Sequence, residues 1–305
     1  MTVAAPALDL DAYLATEAGR VDRALSAVLR GWLGRPAGTI DAVIRYGTMW
    51  GGKRLRPTVC VSVHRALTGD APGALYEVAA ALELVHAYSL MHDDLPCMDD
   101  DDTRRGRPST HRAFGAAQAL LGGAALIPIA GATAVRGAAR LGLDDDAAAA
   151  IAGALARAGG GGGMVGGQML DLLAEGVATE LGDLRTIHAL KTGALFAAAA
   201  EVGALAARAP ERSVRACAAY GAHLGLAFQI ADDVLEASSD AAVLGKPVDG
   251  DARLAKSTVP SRAGLETARE LASAESRRAR EALAAEGIES DVLAALADYA
   301  VARDR

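Results

Sequence analysis

The chain has 305 residues, 31 Lys plus Arg against 38 Asp plus Glu for a net charge of −7, 51% apolar residues and 3 Cys. With half its residues apolar and 23% charged, it can bury a large core, which excludes intrinsic disorder. The acidic balance excludes a general nucleic-acid binder, so any anionic ligand must meet local clusters of basic residues.

The first twenty residues have no basic n-region and carry interrupting acids, so no secretory signal is expected. Cys60, Cys97 and Cys217 are odd in number and widely separated, which fits neither a disulfide framework nor a zinc ligand set and points to a reducing cytoplasm. Residues Ala113 to Val135 carry no charge, but they consist largely of Ala and Gly with Gln118 and Pro128. That content suits tight helix packing inside a protein, so no membrane span is expected. Ala- and Leu-rich segments with apolar spacings of three and four follow one another along the chain, and strand-like runs are hard to find, which predicts an all-α protein. Turns are expected at Gly34 to Pro36, Thr68 to Gly73, Ala158 to Gly163, Ala209-Pro210 and Leu244 to Pro247. The glycine run Gly159 to Gly163 reads as a mobile turn. No linker or fixed-period repeat divides the chain, which predicts a single large helical bundle over residues 1–305.

Two acidic clusters stand out. The first, His92 to Asp102, ends the segment Tyr76 to Met91. Pro96 biases Leu95 away from helical geometry, placing Asp93 and Asp94 in the last helical turn and Asp99 on the following loop. The macrodipole disfavours anions at a helix C-terminus, so these acids form either a solvated loop or a site for a multivalent cation. The second cluster, Asp232, Asp233 and Glu236, lies on a helical segment from about Gly221 to Ala237. Asp232 and Glu236 share a face with Gln229. Its neighbours Phe228, Ile230, Val234 and Leu235 are apolar, so burying these acids requires pairing or a metal, unless this is simply the polar face of an amphipathic helix. Carboxylates suit Mg²⁺, which takes few protein ligands and completes its shell with water and phosphate, so a diphosphate is expected between the clusters.

Candidate partners for that diphosphate are Lys53 and Arg56 beside a glycine turn, Arg104 and Arg105 after the first acidic cluster, Lys191 in an apolar segment, and Lys246 and Lys256 after the second cluster. Each alone also reads as an ordinary surface or charge-balancing residue. His86 lies two helical turns before Asp93 and shares its face, together with Ser89.

The pieces GGKRLRP, HAYSLMHDDLPCMDDDDTRRGRPSTH, KTGALF, GLAFQIADDVLE, and LGK followed by a Lys eleven residues after Gly245 closely resemble, in that order, the trans-isoprenyl diphosphate synthases. They are most similar to the bacterial short-chain farnesyl and geranylgeranyl diphosphate synthases. The resemblance implies an all-α homodimer with a deep central cavity and Mg²⁺-dependent joining of isopentenyl diphosphate to dimethylallyl or geranyl diphosphate. Three Mg²⁺ ions, replaceable by Mn²⁺, would be held by Asp93, Asp94, Asp99, Asp232, Asp233 and Glu236; the catalytic set would be Asp93, Asp94, Asp99, Lys191, Asp232 and Asp233. Lys53, Arg56, His86 and Arg105 would bind isopentenyl diphosphate. Arg104, Lys191, Thr192, Gln229, Lys246 and Lys256 would bind the allylic diphosphate. Tyr88, with Ser89, would close the cavity floor and select a farnesyl product, a geranylgeranyl or geranyl product being the alternative. The sequence departs from the family pattern at Gly123, where an Asp is common, at Glu236 for Asp, at Val259 for Tyr and in the placement of Gly250. Two other readings stay open, a terpene cyclase using the same ionisation without a second substrate and a non-catalytic partner subunit, the one these departures invite. The retained Lys53, Arg56 and His86 argue against the first, and the intact acidic motifs against the second.

Overall fold

The computed structural model describes residues 8–33, 39–242 and 256–302; the turns expected at Gly34 to Pro36 and Leu244 to Pro247, and the residues Lys246 and Gly250, lie outside them. Helix α1 (Leu10–Trp32) starts where the Asp9 carboxylate accepts the Ala12 amide at 3.0 Å, and it buries Leu14, Val21, Leu25, Val28 and Leu29 at spacings of three, four and seven. Helices α2 (Thr39–Thr48) and α3 (Leu55–Thr68) follow, and Gly69 ends α3 with a left-handed φ of 81°.

Helix α4 (Leu75–Asp93) is buried around almost its whole circumference, which its apolar sequence permits and which makes it the central rod of the bundle. Helix α6 (Ala116–Arg140) packs along it through small residues. A Cβ at Gly122 would fall 2.6 Å from Val43 Cγ1 and 2.9 Å from Met91 Cε, and one at Gly137 would fall 2.8 Å from the Val78 amide nitrogen. Gly123 follows the same logic: a Cβ there would run into the His92 imidazole, whose Nε2 lies 3.0 Å from the Leu120 carbonyl. Any side chain at this position would have to displace the His92 ring.

Helices α7 (Asp145–Gly159) and α8 (Met164–Leu173) flank the glycine run, with Asp144 capping α7 through the Ala147 amide. Helix α9 (Leu181–His188) continues through a π-helical turn (Ala189–Gly193) into α10 (Ala194–Ala206). The long α11 (Glu211–Ala242) lies against α10, and α12 (Val259–Ala263), α13 (Leu265–Ala284) and α14 (Asp291–Ala302) complete the described chain. Among the described residues the fold is all-α apart from one departure. Strands β1 (Thr103–Arg104) and β2 (Arg107–Pro108) form a hairpin across Arg105 and Gly106, both at positive φ (53° and 76°), the pattern of a two-residue primed turn, and the short α5 (Thr110–Phe114) follows it. The runs Ala116–Arg140 and Leu181–Ala206 are long and apolar enough to cross a membrane, yet both pack within the bundle, α6 against α4, α2 and α7, and α10 against α3, α7 and α11.

Candidate active site

A cavity of about 720 Å³ opens between α3, α4, α8, the π turn and α11, with the hairpin at its mouth. Asp93, the last residue of α4, and Asp99, on the loop beyond, face Asp232 of α11 across it. The loop folds back because the Asp99 amide donates to the Asp93 carbonyl at 2.9 Å, which closes the turn that Pro96 begins. Burial, reinforced by the nearby Asp99 and Asp94 charges and opposed by Lys191 and Arg104, pushes the Asp93 carboxyl up to about 7.

Two of the expected metal ligands turn elsewhere. Asp94 is 2% exposed and takes a two-pronged ion pair from Arg104, with Arg104 Nε at 2.9 Å. One residue along the helix rotates it about 100° away from Asp93. Arg104 borders the cavity, and through its Nε and one terminal nitrogen it pairs with Asp94 and, at 3.0 Å, with Asp101, which braces the hairpin. Asp233 is likewise rotated from Asp232. It accepts the buried Val259 amide at 3.0 Å and the Gln229 amide at 3.3 Å, with His188 Nε2 at 3.6 Å. Asp233 thus ties α11 to the start of α12. Glu236 lies one turn beyond Asp232 and is not among the residues lining the cavity.

The basic wall is built around Arg54, which the sequence reading passed over. Its backbone is left-handed (φ 47°) and its guanidinium is buried, paired with Glu83 at 2.5 Å and Asp22 at 2.9 Å and donating to the Thr48 carbonyl at 3.1 Å. This clamp sets the turn that presents Lys53 and Arg56 to the cavity. Arg56 lies 4.5 Å over the Phe196 ring, its Nε has no hydrogen-bond partner, and burial, helped by Arg105, pushes it down to about 10. Arg105 leans on the same turn through the Gly51 carbonyl. His86 sits beside these cations, and burial together with Arg56 and Arg105 holds it well below its ordinary value, so it is neutral.

On the opposite side the π turn delivers Lys191 and Thr192 into the cavity. Glycines make room for it: a Cβ at Gly167 would fall 2.6 Å from Lys191 Cα, and one at Gly225 would fall 2.8 Å from Gly193 Cα. The anion a half-buried lysine needs is Asp171 of α8, 2.7 Å from Lys191 Nζ and 3.1 Å from Lys256 Nζ. Lys256 also reaches Asp99 at 3.0 Å, and although burial alone would lower its pKa, Asp171 and Asp99 drive it up. Thr192 donates to Gln229 at 2.7 Å.

Asp171 and Gln168 were missed in the sequence. The signal was present: Met164, Gln168 and Asp171 follow a helical spacing that Glu175 continues just past the helix end, so Gln168 and Asp171 form a polar stripe on an otherwise apolar α8. Tyr88 is not among the residues lining the cavity. Its hydroxyl donates to the Gly159 carbonyl at 3.0 Å and its ring meets His92 edge-on, so it latches α4 to the end of α7, while Ser89, Met164 and Phe228 line the cavity itself.

The polyprenyl synthetase family pattern matches residues 38–299. The chain is 42% identical to the farnesyl diphosphate synthase of Escherichia coli, over 86% of this chain and 88% of that one. It is 39% identical to the chloroplastic geranylfarnesyl diphosphate synthase of Leucosceptrum canum, over 97% and 81% respectively. Among solved structures it resembles an FPP/GFPP synthase from Zymomonas mobilis with a TM-score of 0.82 at 36% identity, covering 96% of this chain and 99% of that one. Sequence motifs, an all-α fold around a charged cavity and these likenesses agree: the chain belongs to the polyprenyl synthetase family and is a prenyltransferase, a trans-prenyl diphosphate synthase.

Proposed function

We propose that this enzyme uses Mg²⁺ to join isopentenyl diphosphate to dimethylallyl and then geranyl diphosphate, with farnesyl diphosphate as its product. The observation that carries the reading is that one cavity brings together Asp93, Asp99 and Asp232 with Lys53, Arg56, Arg105 and Lys191. Among the described residues no set of three or more His, Cys, Asp or Glu side chains forms a metal cage of its own. Hard carboxylate oxygens facing a shared space suit a cation that completes its shell from water and phosphate. Asp93, Asp99 and Asp232 would hold the ions, Mg²⁺ or Mn²⁺, which supply positive charge to the departing diphosphate.

Lys191 and Lys256 hold the allylic diphosphate in reach of that charge, exchanging part of their pairing with Asp171 and Asp99 for phosphate oxygens. Lys53, Arg56, Arg105 and the neutral His86, a hydrogen-bond donor, hold the second diphosphate. The allylic C–O bond breaks with its electron pair leaving on oxygen. The isopentenyl double bond attacks the resulting cation, and the released diphosphate takes the proton. Preorganised charge stabilises the leaving group, so no protein nucleophile is needed. Ser89, Met164 and Phe228 bound the space for the growing chain. Leu120, Leu121 and Ile127 on α6 and Val165, Met169 and Leu173 on α8 are exposed apolar side chains of the kind a homodimer interface covers. We read residues 1–305 as one catalytic domain without a membrane span, working in the cytoplasm, where Cys60, Cys97 and Cys217 stay reduced.

Product analysis with isopentenyl diphosphate, geranyl diphosphate and Mg²⁺ tests the reading. A fifteen-carbon product that vanishes with chelator is expected, and no elongation from any allylic primer refutes it.

A further inference from the structure

Gln168 is 8% exposed and borders the cavity, yet neither its amide nitrogen nor its amide oxygen has a hydrogen-bond partner. The other uncharged amide of the cavity makes the contrast: Gln229 accepts from Thr192 at 2.7 Å and donates to Asp233 at 3.3 Å. An amide buried and unpaired at both ends raises the energy of the folded chain, and folded proteins satisfy the large majority of such groups. Where one is kept unsatisfied, a ligand that pairs with it is the physical explanation to test.

Its place on α8 says which ligand. One turn before it Met164, 5% exposed, puts an apolar side chain against the cavity, and one turn after it Asp171 gathers Lys191 and Lys256. Along α8, Gln168 therefore stands between an apolar side chain on one turn and a charged cluster on the next. An amphiphile with an anionic head beside the lysines and a hydrocarbon tail toward Met164 has its head-to-tail linkage at this level.

We propose that Gln168 is a catalytic residue that donates its amide N–H to the oxygen linking the allylic carbon to the diphosphate, an inference that rests on the prenyltransferase reading above. As the C–O bond breaks, its electron pair passes to that oxygen. The hydrogen bond therefore strengthens between the bound substrate and the transition state, which is the condition for raising turnover.

The test is Gln168→Met, which keeps length and volume and removes both polar atoms. In chelator, the variant melts roughly 2–5 °C above wild type, because an unpaired buried amide is gone. Its kcat falls about 100-fold, with kcat/KM for geranyl diphosphate falling in parallel, the mark of a contact made in the transition state. The rise in melting temperature given by Mg²⁺ with inorganic diphosphate is smaller in the variant. A lower melting temperature would show that the amide serves the fold, and an unchanged kcat would show that it does not touch the reacting bond; either overturns the inference. Wild-type turnover measured alongside tests the prenyltransferase reading separately. Should wild type make no product, an equal diphosphate-induced shift in both proteins still overturns the role of Gln168.

Discussion

Replacing Asp93 by Asn should make the metal-free protein more stable while abolishing its chemistry. The native carboxyl titrates at about 7 because burial and the neighbouring Asp99 and Asp94 charges disfavour its ionised form more than Lys191 and Arg104 favour it. The ordinary aspartate value is 3.8, so the folded chain binds this proton more tightly than the unfolded chain. The resulting penalty is absent below about pH 4, grows as pH rises toward 7, and is fully present above it. The interval between 3.8 and about 7 caps the penalty at ~4 kcal/mol. Solvent entering the cavity raises the effective dielectric constant and reduces the gain expected from the substitution to ~1–2 kcal/mol, roughly 2–3 °C in Tm for a chain of this size. Thermal unfolding with chelator at pH 5 and pH 8 measures it. Asp93→Asn should melt above wild type at pH 8, by less at pH 5, and turn over slower by several orders of magnitude with Mg²⁺. A variant that melts at or below the wild-type temperature at pH 8 would refute the electrostatic account of this site.

Three further substitutions separate roles that the motifs leave merged. Arg54→Ala leaves Glu83 buried without its cation and should cost about 3–5 kcal/mol in denaturant unfolding, with a raised KM for isopentenyl diphosphate from whatever folds. Asp233→Ala removes the acceptor for the Val259 amide. Turnover should fall about tenfold or more while the Mg²⁺ concentration for half-maximal rate stays within about twofold, whereas Asp232→Ala should shift that concentration strongly. Tyr88→Phe loses only the hydroxyl bond to Gly159, so calorimetry should show about 1 kcal/mol of destabilisation and chromatography an unchanged product length.

The helical class could be read from the apolar spacing, and the acids that face the cavity from the two Asp-rich clusters. The clusters did not say which member of each pair points inward. Adjacent residues at the end of α4 and along α11 differ by about 100° in direction, which sends Asp94 to Arg104 and Asp233 to the Val259 amide. Asp171 and Gln168 lie at helical spacing on α8, but a polar stripe also suits an ordinary helix surface, and only the cavity gives it something to face. The π turn could not be read, because nothing in Ala189–Gly193 favours a wide turn; its setting comes from α8 and α11 closing on it at Gly167 and Gly225. The hairpin was half legible. Gly106 suits a primed turn, but a left-handed Arg105 is tolerated because its guanidinium is held by the Gly51 carbonyl, a contact made across half a hundred residues.

The central claim is that Asp93, Asp99 and Asp232 act together with the surrounding cations to ionise an allylic diphosphate in the presence of a second substrate. The most direct measurement is diphosphate release by the purified protein with Mg²⁺ and geranyl diphosphate, with and without isopentenyl diphosphate, followed by product identification. The account predicts release coupled to a five-carbon extension, lost in chelator and in Asp232→Ala. Release without isopentenyl diphosphate and without extension, or extension undiminished in Asp232→Ala, would contradict it.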